Sequence, residues 1–284
     1  MTIAVSLDIF SGQPNPSWQL SDTEEKELND RLASLTTTTH QRPSGVVGGL
    51  GYRGFIITNH NAAFAAAGQL RIHENTVDRG ISLPNLADTT QIEHFLLGTI
   101  RAPISKDVHD HVTSSLTQLG NFGVSTTAIS TCPKCNAVDA PTYNPAAWNN
   151  PAVQPHNNCY NYANDHATNT FAQPGRAHGK QATVMDCAHV EPAAVADGLR
   201  AVPNFGAPLA AGAGWYVALV IWPGADYHWY RQDKVGCWSH KPGQTAARNV
   251  DNAGQTIADP KSCNRGPYTV FCNYMVTKRG LTIA

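Results

Sequence analysis

Apolar residues recur every three or four positions at three places in the first 130 residues, a pattern that predicts amphipathic helices. The first helix begins at Ser21 and Glu24, which have the spacing of a capping box, and leucines follow at helical intervals. Two further helices are predicted after Asp88 and Ser105, each of which can cap the helix that it precedes. We therefore expect three helices in this part of the chain.

Strand patterns and changes of amino-acid composition along the chain predict the domain organisation. Residues 3–10 and 52–58 are rich in β-branched and aromatic side chains, which favour strands. With the three helices, they indicate that residues 1–130 form a small accessory α+β domain. Residues 131–155 are rich in Pro, Asn and Ala without periodicity, which is typical of a linker or a surface loop. Residues 156–284 are then expected to form a second domain.

The second domain is predicted to consist of a helix followed by an antiparallel sheet. Asn157 and Asn158 can each cap a helix that runs from Cys159 to about Thr170. The apolar run at residues 215–222 is shorter than the roughly 20 residues of a membrane-spanning helix, and it is typical of a buried strand. Aromatic-rich strands follow it. The expected fold class is α+β, without membrane insertion.

Composition and charge narrow the classes of partner. The chain has 20 basic and 21 acidic residues, a net charge of -1, so nothing favours nucleic acid as a partner. The first residues carry neither a basic stretch nor an apolar run of signal-peptide length. We therefore expect a protein that is cytoplasmic, or exported without a visible signal peptide. No pattern indicates the oligomeric state.

Seven cysteines make thiol chemistry the first candidate. Their number is odd, so at least one lies outside an internal disulfide. A cysteine nucleophile needs a lowered pKa, which the N–H groups and dipole at a helix N-terminus supply. Cys159 has this predicted position, and Gln154 and Asn157 just before it could donate hydrogen bonds to an oxyanion. The alternative is that Cys159 is a small buried core residue.

A base for this thiol is predicted on the sheet. His228 follows the apolar run, and a turn near residues 233–236 would pair its strand with the strand that carries His240. The two imidazoles would then lie opposite each other within a residue of register, and the second could fix the tautomer of the first. Asn252, together with Asp251 and Asp259, competes with His240 for this orienting role. His228 could also be an ordinary strand histidine bound to a carbonyl.

This order of residues resembles that of the papain-like cysteine hydrolases, and within them the NlpC/P60-like branch. There a cysteine at the start of a helix is followed by a sheet histidine and by a third polar residue on the next strand. The similarity covers residues 154–242, with the string Cys159-Tyr160-Asn161-Tyr162 where the branch usually has Asp-Cys-Ser-Gly. The resemblance implies a papain-like fold for the second domain.

The resemblance also implies roles for residues and a reaction. Cys159 would be the nucleophile, His228 the general base, His240 the orienting group, and Gln154 a donor to the oxyanion. The enzyme would be a thiol protease, an amidase or an acyltransferase. It would act on an amide bond of a peptide or peptidoglycan-type substrate through an acyl-thioenzyme, and it would need no cofactor.

Two other classes compete with the thiol enzyme. Cys132 and Cys135 have the C-x2-C spacing of zinc ligands, although no second such pair is present. In an exported protein, a disulfide within this loop or from it to Cys187 is expected instead. The third class is a binding protein, stabilised by zinc or disulfides, that uses an aromatic-lined groove formed by Trp215, Trp222, Trp229, Tyr230 and Trp238.

Overall fold

The computed structural model describes residues 2–38, 49–58, 69–80, 83–117 and 131–284. The chain divides into two compact units. The first comprises Met1–Ile9, Asn15–Val47 and Tyr52–Phe122, and the second comprises Phe10–Pro14, Gly48–Gly51 and Gly123–Ala284. The predicted end of the first domain, at residue 130, lies outside the described residues.

The first unit contains a seven-stranded antiparallel sheet and the three predicted helices, which are confirmed. Within the described residues the strands run in the order β2-β1-β4-β5-β6-β7-β3. The elements are β1 (Ala4–Leu7), β2 (Ser17–Gln19), α1 (Asp22–Ala33), β3 (Thr36–Thr37), β4 (Phe55–Thr58), β5 (Gln69–His73), β6 (Thr76–Asp78), β7 (Leu86–Ala87), α2 (Ile92–Gly98) and α3 (Lys106–Thr117).

The start of α1 follows from its capping box. The Ser21 hydroxyl accepts a hydrogen bond from the N–H of Glu24, and the Glu24 carboxylate accepts one from the N–H of Ser21 at 2.8 Å. We expect Ser21→Ala to lower the free energy of unfolding of the first unit by about 1 kcal/mol, because one helix N–H group loses its acceptor. Urea denaturation followed by circular dichroism measures the change. Ser114→Ala, on the exposed face of α3, is the control and is expected to be neutral or slightly stabilising.

The second unit is built on a five-stranded antiparallel sheet with the order β11-β10-β9-β12-β8. Its central strand β9 is buried along its whole length, as the apolar run predicts. Two short 3₁₀ turns lie at Gln154–His156 and Arg176–His178. The other elements are α4 (Pro145–Trp148), α5 (Cys159–Ala163), α6 (Cys187–Ala196), β8 (Arg200–Val202), β9 (Trp215–Trp222), β10 (Asp226–Gln232), β11 (Trp238–His240) and β12 (Val270–Thr277). The α+β fold class is confirmed.

Helix α5 is shorter than predicted. It ends at Ala163 rather than near Thr170, because Asp165 adopts a left-handed conformation with φ 49°. The side chain of Arg231 donates to the Tyr162 carbonyl oxygen at 3.2 Å, so a carbonyl of the last turn is satisfied without a further helical turn. The prediction was wrong because this partner is distant in sequence.

Two disulfides lie in the second unit, and neither is one that the sequence predicted. Cys132 is bonded to Cys237, and Cys187 is bonded to Cys272. The prediction of a disulfide within the 132–135 loop, or from this loop to Cys187, is therefore wrong. Cys135, Cys159 and Cys263 stay outside disulfides. Spacing alone cannot assign such pairs, because each bond joins residues 85 or 105 positions apart.

Candidate functional site

Cys159 is the first residue of α5. The Asn158 side chain caps this helix by accepting hydrogen bonds from the N–H groups of Tyr160 and Asn161, and the Asn161 side chain accepts one from the N–H of Asn158. Of the two predicted caps, Asn158 is the one used. The helix packs against β10, and Cys159 is completely buried.

Burial raises the pKa of the Cys159 thiol well above its ordinary value. The nearby charge of Asp226 acts in the same direction, whereas the backbone N–H of Trp229 and the charge of Lys241 act to lower the pKa. Burial dominates, so the sulfur is a neutral thiol at neutral pH in this conformation. Its position beside Trp229 places it next to the strand residue that follows His228.

His228 and His240 are hydrogen bonded to each other, as the hairpin predicts. Nε2 of His228 lies 2.9 Å from Nδ1 of His240, and both side chains are buried. Tyr230, not His228, is the direct cross-strand partner of His240, so the predicted register was off by two residues. The two rings meet diagonally across the hairpin, where long side chains can still reach each other.

The hydrogen bonds of these imidazoles have a fixed direction when both rings are neutral. Nε2 of His240 lies 3.0 Å from the Val250 carbonyl oxygen, which can only accept, so this nitrogen carries the proton. Nδ1 of His240 must then accept from Nε2–H of His228. Nδ1 of His228 is left as an acceptor, and the Ser11 hydroxyl, 2.7 Å away, donates to it. The chain of donors therefore runs from Ser11 through both rings to Val250.

Ser11 is a site residue that the sequence did not indicate. It is fully buried and belongs to the segment Phe10–Pro14, which is part of the second unit although it lies near the N-terminus. No motif or periodicity marks this segment, and it is more than 200 residues from His228 in the chain. Only the folded arrangement brings the serine to the imidazole.

The side chain of Asp226, the first residue of β10, binds the main chain of the segment Phe10–Pro14. Its carboxylate accepts hydrogen bonds from the N–H groups of Ser11 at 2.5 Å, Gly12 at 3.1 Å and Gln13 at 2.8 Å. The Tyr268 hydroxyl donates a fourth bond at 2.5 Å. Complete burial raises the pKa of Asp226 although these donors oppose the shift. The buried carboxylate thus has four donors. Three of them are successive peptide N–H groups, so the contact fixes the main chain of this segment.

The carbonyl oxygen of Gly12 is bound by three side chains. Nδ2 of Asn158 and Nε2 of Gln173 each donate to it at 2.9 Å, and the Tyr227 hydroxyl donates at 3.2 Å. Asn158 is the cap of α5, so this carbonyl is bound by the residue that immediately precedes Cys159. Three convergent donors on one peptide oxygen have the chemistry of a carbonyl-binding or oxyanion-binding site.

Two of the predicted oxyanion donors make their hydrogen bonds elsewhere. The Gln154 side-chain amide donates to the Gln244 carbonyl oxygen at 3.2 Å. The Asn157 amide donates to the Val153 carbonyl oxygen at 2.7 Å and to the Asn169 side-chain oxygen at 2.6 Å. Both side chains thus fix the loop that leads into α5, whereas the Asn158 amide donates to the Gly12 carbonyl oxygen.

The residues that compete with His240 for the orienting role are bound within loops of the second unit. The Asn252 amide bonds in both directions to the main chain of Leu50, at 2.7 and 2.8 Å. Asp251 accepts from the N–H of Asn264 at 2.8 Å, and Asp259 accepts from the Tyr274 hydroxyl at 2.6 Å. His240 is the one of this group for which a bond to His228 is seen.

Lys241, next to His240, binds the loop that leads to Cys159. Its ammonium group donates to the carbonyl oxygens of Gln154 at 2.6 Å, Asn157 at 2.5 Å and Gly243 at 2.7 Å, and the residue is fully buried. A buried ammonium group requires several acceptors to replace water. The loop before α5 is therefore tied to the end of β11.

A comparison with curated proteins finds a relative of this chain. Insoluble matrix shell protein 1 from Ruditapes philippinarum is 47% identical over 135 residues, which are 47% of this chain and 87% of the relative. The chain belongs to the family of insoluble matrix shell protein 1. No protein-family model matches the chain, and no solved structure matches it. The papain-like resemblance thus stays a prediction for this member of the insoluble matrix shell protein 1 family.

The predicted metal ligands of this family member are used differently. Cys132 is bonded to Cys237, so its sulfur is not a thiolate that could bind zinc beside Cys135. In the described ranges, no group of three or more His, Cys, Asp or Glu side chains could hold a metal ion. None of the helices in those ranges is long and apolar enough to cross a membrane.

The aromatic residues that were predicted to line a groove are buried in the second unit of this family member. Tyr230 packs against both imidazoles, and Trp229 packs against Tyr160 of α5. Each of the five side chains is at most 5% exposed, so they form core rather than an open binding surface: Trp215, Trp222, Trp229, Tyr230 and Trp238.

Proposed function

We propose that the protein is an exported cysteine amidohydrolase with Cys159 as nucleophile, His228 as general base and His240 as the orienting group. The observation that carries the proposal is the directed hydrogen bonding from His228 through His240 to the Val250 carbonyl oxygen. A base must be held in one tautomer and one orientation, and this arrangement does so. Cys159 lies at the start of a capped helix with its sulfur near the backbone N–H of Trp229, and the assignment requires that Ser11 give way so that the thiol can reach Nδ1 of His228.

In the proposed reaction, Nδ1 of His228 takes the proton of the Cys159 thiol, and the thiolate adds to an amide carbonyl carbon. The C–N bond breaks, the imidazolium gives its proton to the leaving amine, and an acyl-thioenzyme remains. The same imidazole then deprotonates water, which releases the acid and restores the thiol. Peptide or peptidoglycan-type amides are the proposed substrates, transfer to an amine is the same chemistry, and no cofactor is needed.

The described conformation is then a latent form of the enzyme. The Ser11 hydroxyl occupies the nitrogen of His228 that would accept the thiol proton, at 2.7 Å. Burial meanwhile keeps the pKa of Cys159 high, which disfavours the thiolate. Catalysis therefore requires that Ser11 move away from His228.

A second candidate function is that of a structural component of an extracellular matrix. The name of the relative, an insoluble matrix shell protein, favours it, and so do the two disulfides, which form and persist in oxidising compartments. Both candidates imply export. They differ in whether Cys159 reacts with electrophiles with the help of His228.

Thiol labelling of the 284-residue chain tests the enzyme proposal. We expect Ser11→Ala to accelerate the alkylation of Cys159 by iodoacetamide at least tenfold over wild type, because it leaves Nδ1 of His228 open to the thiol. The double variant Ser11→Ala/His228→Ala should lose that gain, since general-base assistance is typically worth about a hundredfold or more. Peptide mass mapping gives the rate at each cysteine, with Cys135 and Cys263 as internal references.

Ser11→Ala/His189→Ala is the matched control, because His189 lies half exposed on α6 and bonds to Asp186. It should label like Ser11→Ala. Equal Cys159 rates with and without His228, in variants that keep the wild-type circular dichroism spectrum, would overturn the enzyme proposal and leave the matrix component.

A further inference from the structure

The segment Ser11–Gly12–Gln13 is held chiefly by its main-chain atoms. Its three N–H groups bond to Asp226, the Gly12 carbonyl oxygen accepts from three side chains, and the Ser11 carbonyl oxygen accepts from the N–H of Gly243 at 3.1 Å. Every peptide group in this stretch therefore has a partner from a distant part of the second unit. Recognition of this kind depends little on side-chain identity and would serve any peptide of suitable shape.

Gly12 is the one residue of this segment whose identity matters for this main-chain recognition, because there is no room for a side chain at its position. A Cβ atom on Gly12 would lie 2.3 Å from a ring carbon of Tyr227 and within 2.6 Å of two others. Tyr227 is fully buried and its hydroxyl shares its one proton between the Gly12 carbonyl oxygen and the Gln173 side-chain oxygen, so its ring cannot easily move. The site thus selects glycine at the residue whose carbonyl oxygen it binds.

The groups around this glycine have the donors and acceptors that a peptide main chain requires on both sides of the residue. The carboxyl oxygens of Asp226 accept hydrogen bonds from three peptide N–H groups. Asn158, Gln173 and Tyr227 offer donors, and they meet the carbonyl oxygen. One of the groups that hold the carbonyl oxygen, Asn158, is the cap of α5 and the residue before Cys159.

We propose that residues 10–14 are an intramolecular ligand of a peptide-binding site, and that the same groups bind glycine-containing peptides when this segment is displaced. The site consists of Asp226, Asn158, Gln173 and Tyr227. That such peptides are also the substrates of Cys159 rests on the proposed function. Binding itself does not, because Cys159 and His228 make none of the bonds to the glycine.

Binding in trans must be measured where the internal segment is weakened, because a tethered segment competes at an effective concentration of about millimolar. Gly12→Ala in the full chain does this, since the added methyl group cannot be accommodated beside Tyr227. The probe is the synthetic peptide Ile-Phe-Ser-Gly-Gln-Pro-Asn, the sequence of residues 9–15. The matched control peptide has Ala in place of Gly.

We expect calorimetry to show that the glycine peptide binds the Gly12→Ala protein at least tenfold more tightly than the alanine peptide, and that it raises the thermal midpoint of that protein. Gly12→Ala/Asp226→Asn should bind neither peptide. If Gly12→Ala is not recovered folded, Gln13→Pro replaces it, because it removes a main-chain N–H group that bonds to Asp226 and so weakens the internal segment.

Equal affinity for the two peptides, or no binding to a folded variant, would overturn the peptide site. Neither result affects the alkylation rates of Cys159, so the peptide site and the thiol enzyme fail separately. Repeating the titration with Cys159→Ala added should leave the affinity unchanged, because the sulfur is not among the groups that hold the glycine.

Discussion

Replacing both cysteines of the Cys187–Cys272 disulfide with serine is expected to lower the free energy of unfolding of the second unit by about 4 to 5 kcal/mol. The bond closes a loop of 85 residues, and loop-closure entropy of the unfolded chain gives this magnitude. It also ties the start of α6 to β12, the strand that pairs with the central strand β9. Such a loss is a large part of the stability of an ordinary domain.

Urea denaturation followed by tryptophan fluorescence measures this effect, because five of the six tryptophans lie in the second unit. Cys263→Ser is the control, since Cys263 lies outside a disulfide. A double variant that unfolds within 1 kcal/mol of this control would show that the bond does not constrain the unfolded chain.

Asp8→Asn is expected to lower the free energy of unfolding of the first unit by about 3 to 5 kcal/mol. Asp8 is fully buried, and its carboxylate bonds to the Arg53 guanidinium at 2.7 Å and to the Arg71 guanidinium at 2.6 Å. Without its charge, the buried Arg53 cation loses the carboxylate that neutralises it at 2.7 Å. Asp110→Asn, which breaks an exposed pair with Lys106, should leave the stability almost unchanged.

The same ion group makes the first unit sensitive to acid. Burial acts to raise the pKa of Asp8, but the two guanidinium groups outweigh it and lower the pKa below its ordinary value. A lowered folded-state pKa gives stability that is complete above the unfolded-state pKa of about 4 and that is lost as the pH falls below it. The denaturation midpoint of wild type should therefore fall more steeply below pH 4 than that of Asp8→Asn, and parallel curves would contradict this account.

Local signals in the sequence predicted the elements whose causes are local. The capping box at Ser21 lies within one turn of helix, and the buried strand at residues 215–222 is an uninterrupted apolar run, so both could be identified without tertiary information. Helix α5 was predicted too long because the group that binds a carbonyl of its last turn, Arg231, belongs to strand β10, far along the chain. Short-range patterns carry no information on such partners.

The candidate site divides in the same way. The pairing of His228 with His240 could be predicted because a hairpin joins them, although its register required the actual strand pairing. Ser11 could not be predicted, because a loop near the N-terminus has no pattern that relates it to β10. The disulfide partners were equally hidden, since seven cysteines allow many pairings that spacing does not distinguish.

The fixed direction of the two imidazoles has a consequence for how the site takes up a proton. Nδ1 of His240 faces an N–H group, so a proton placed there would set two donors against each other. Nδ1 of His228 faces a hydroxyl, and a hydroxyl can turn round to accept. The pair can thus gain one positive charge, at the serine end, without losing a hydrogen bond, and a second would break the link between the rings.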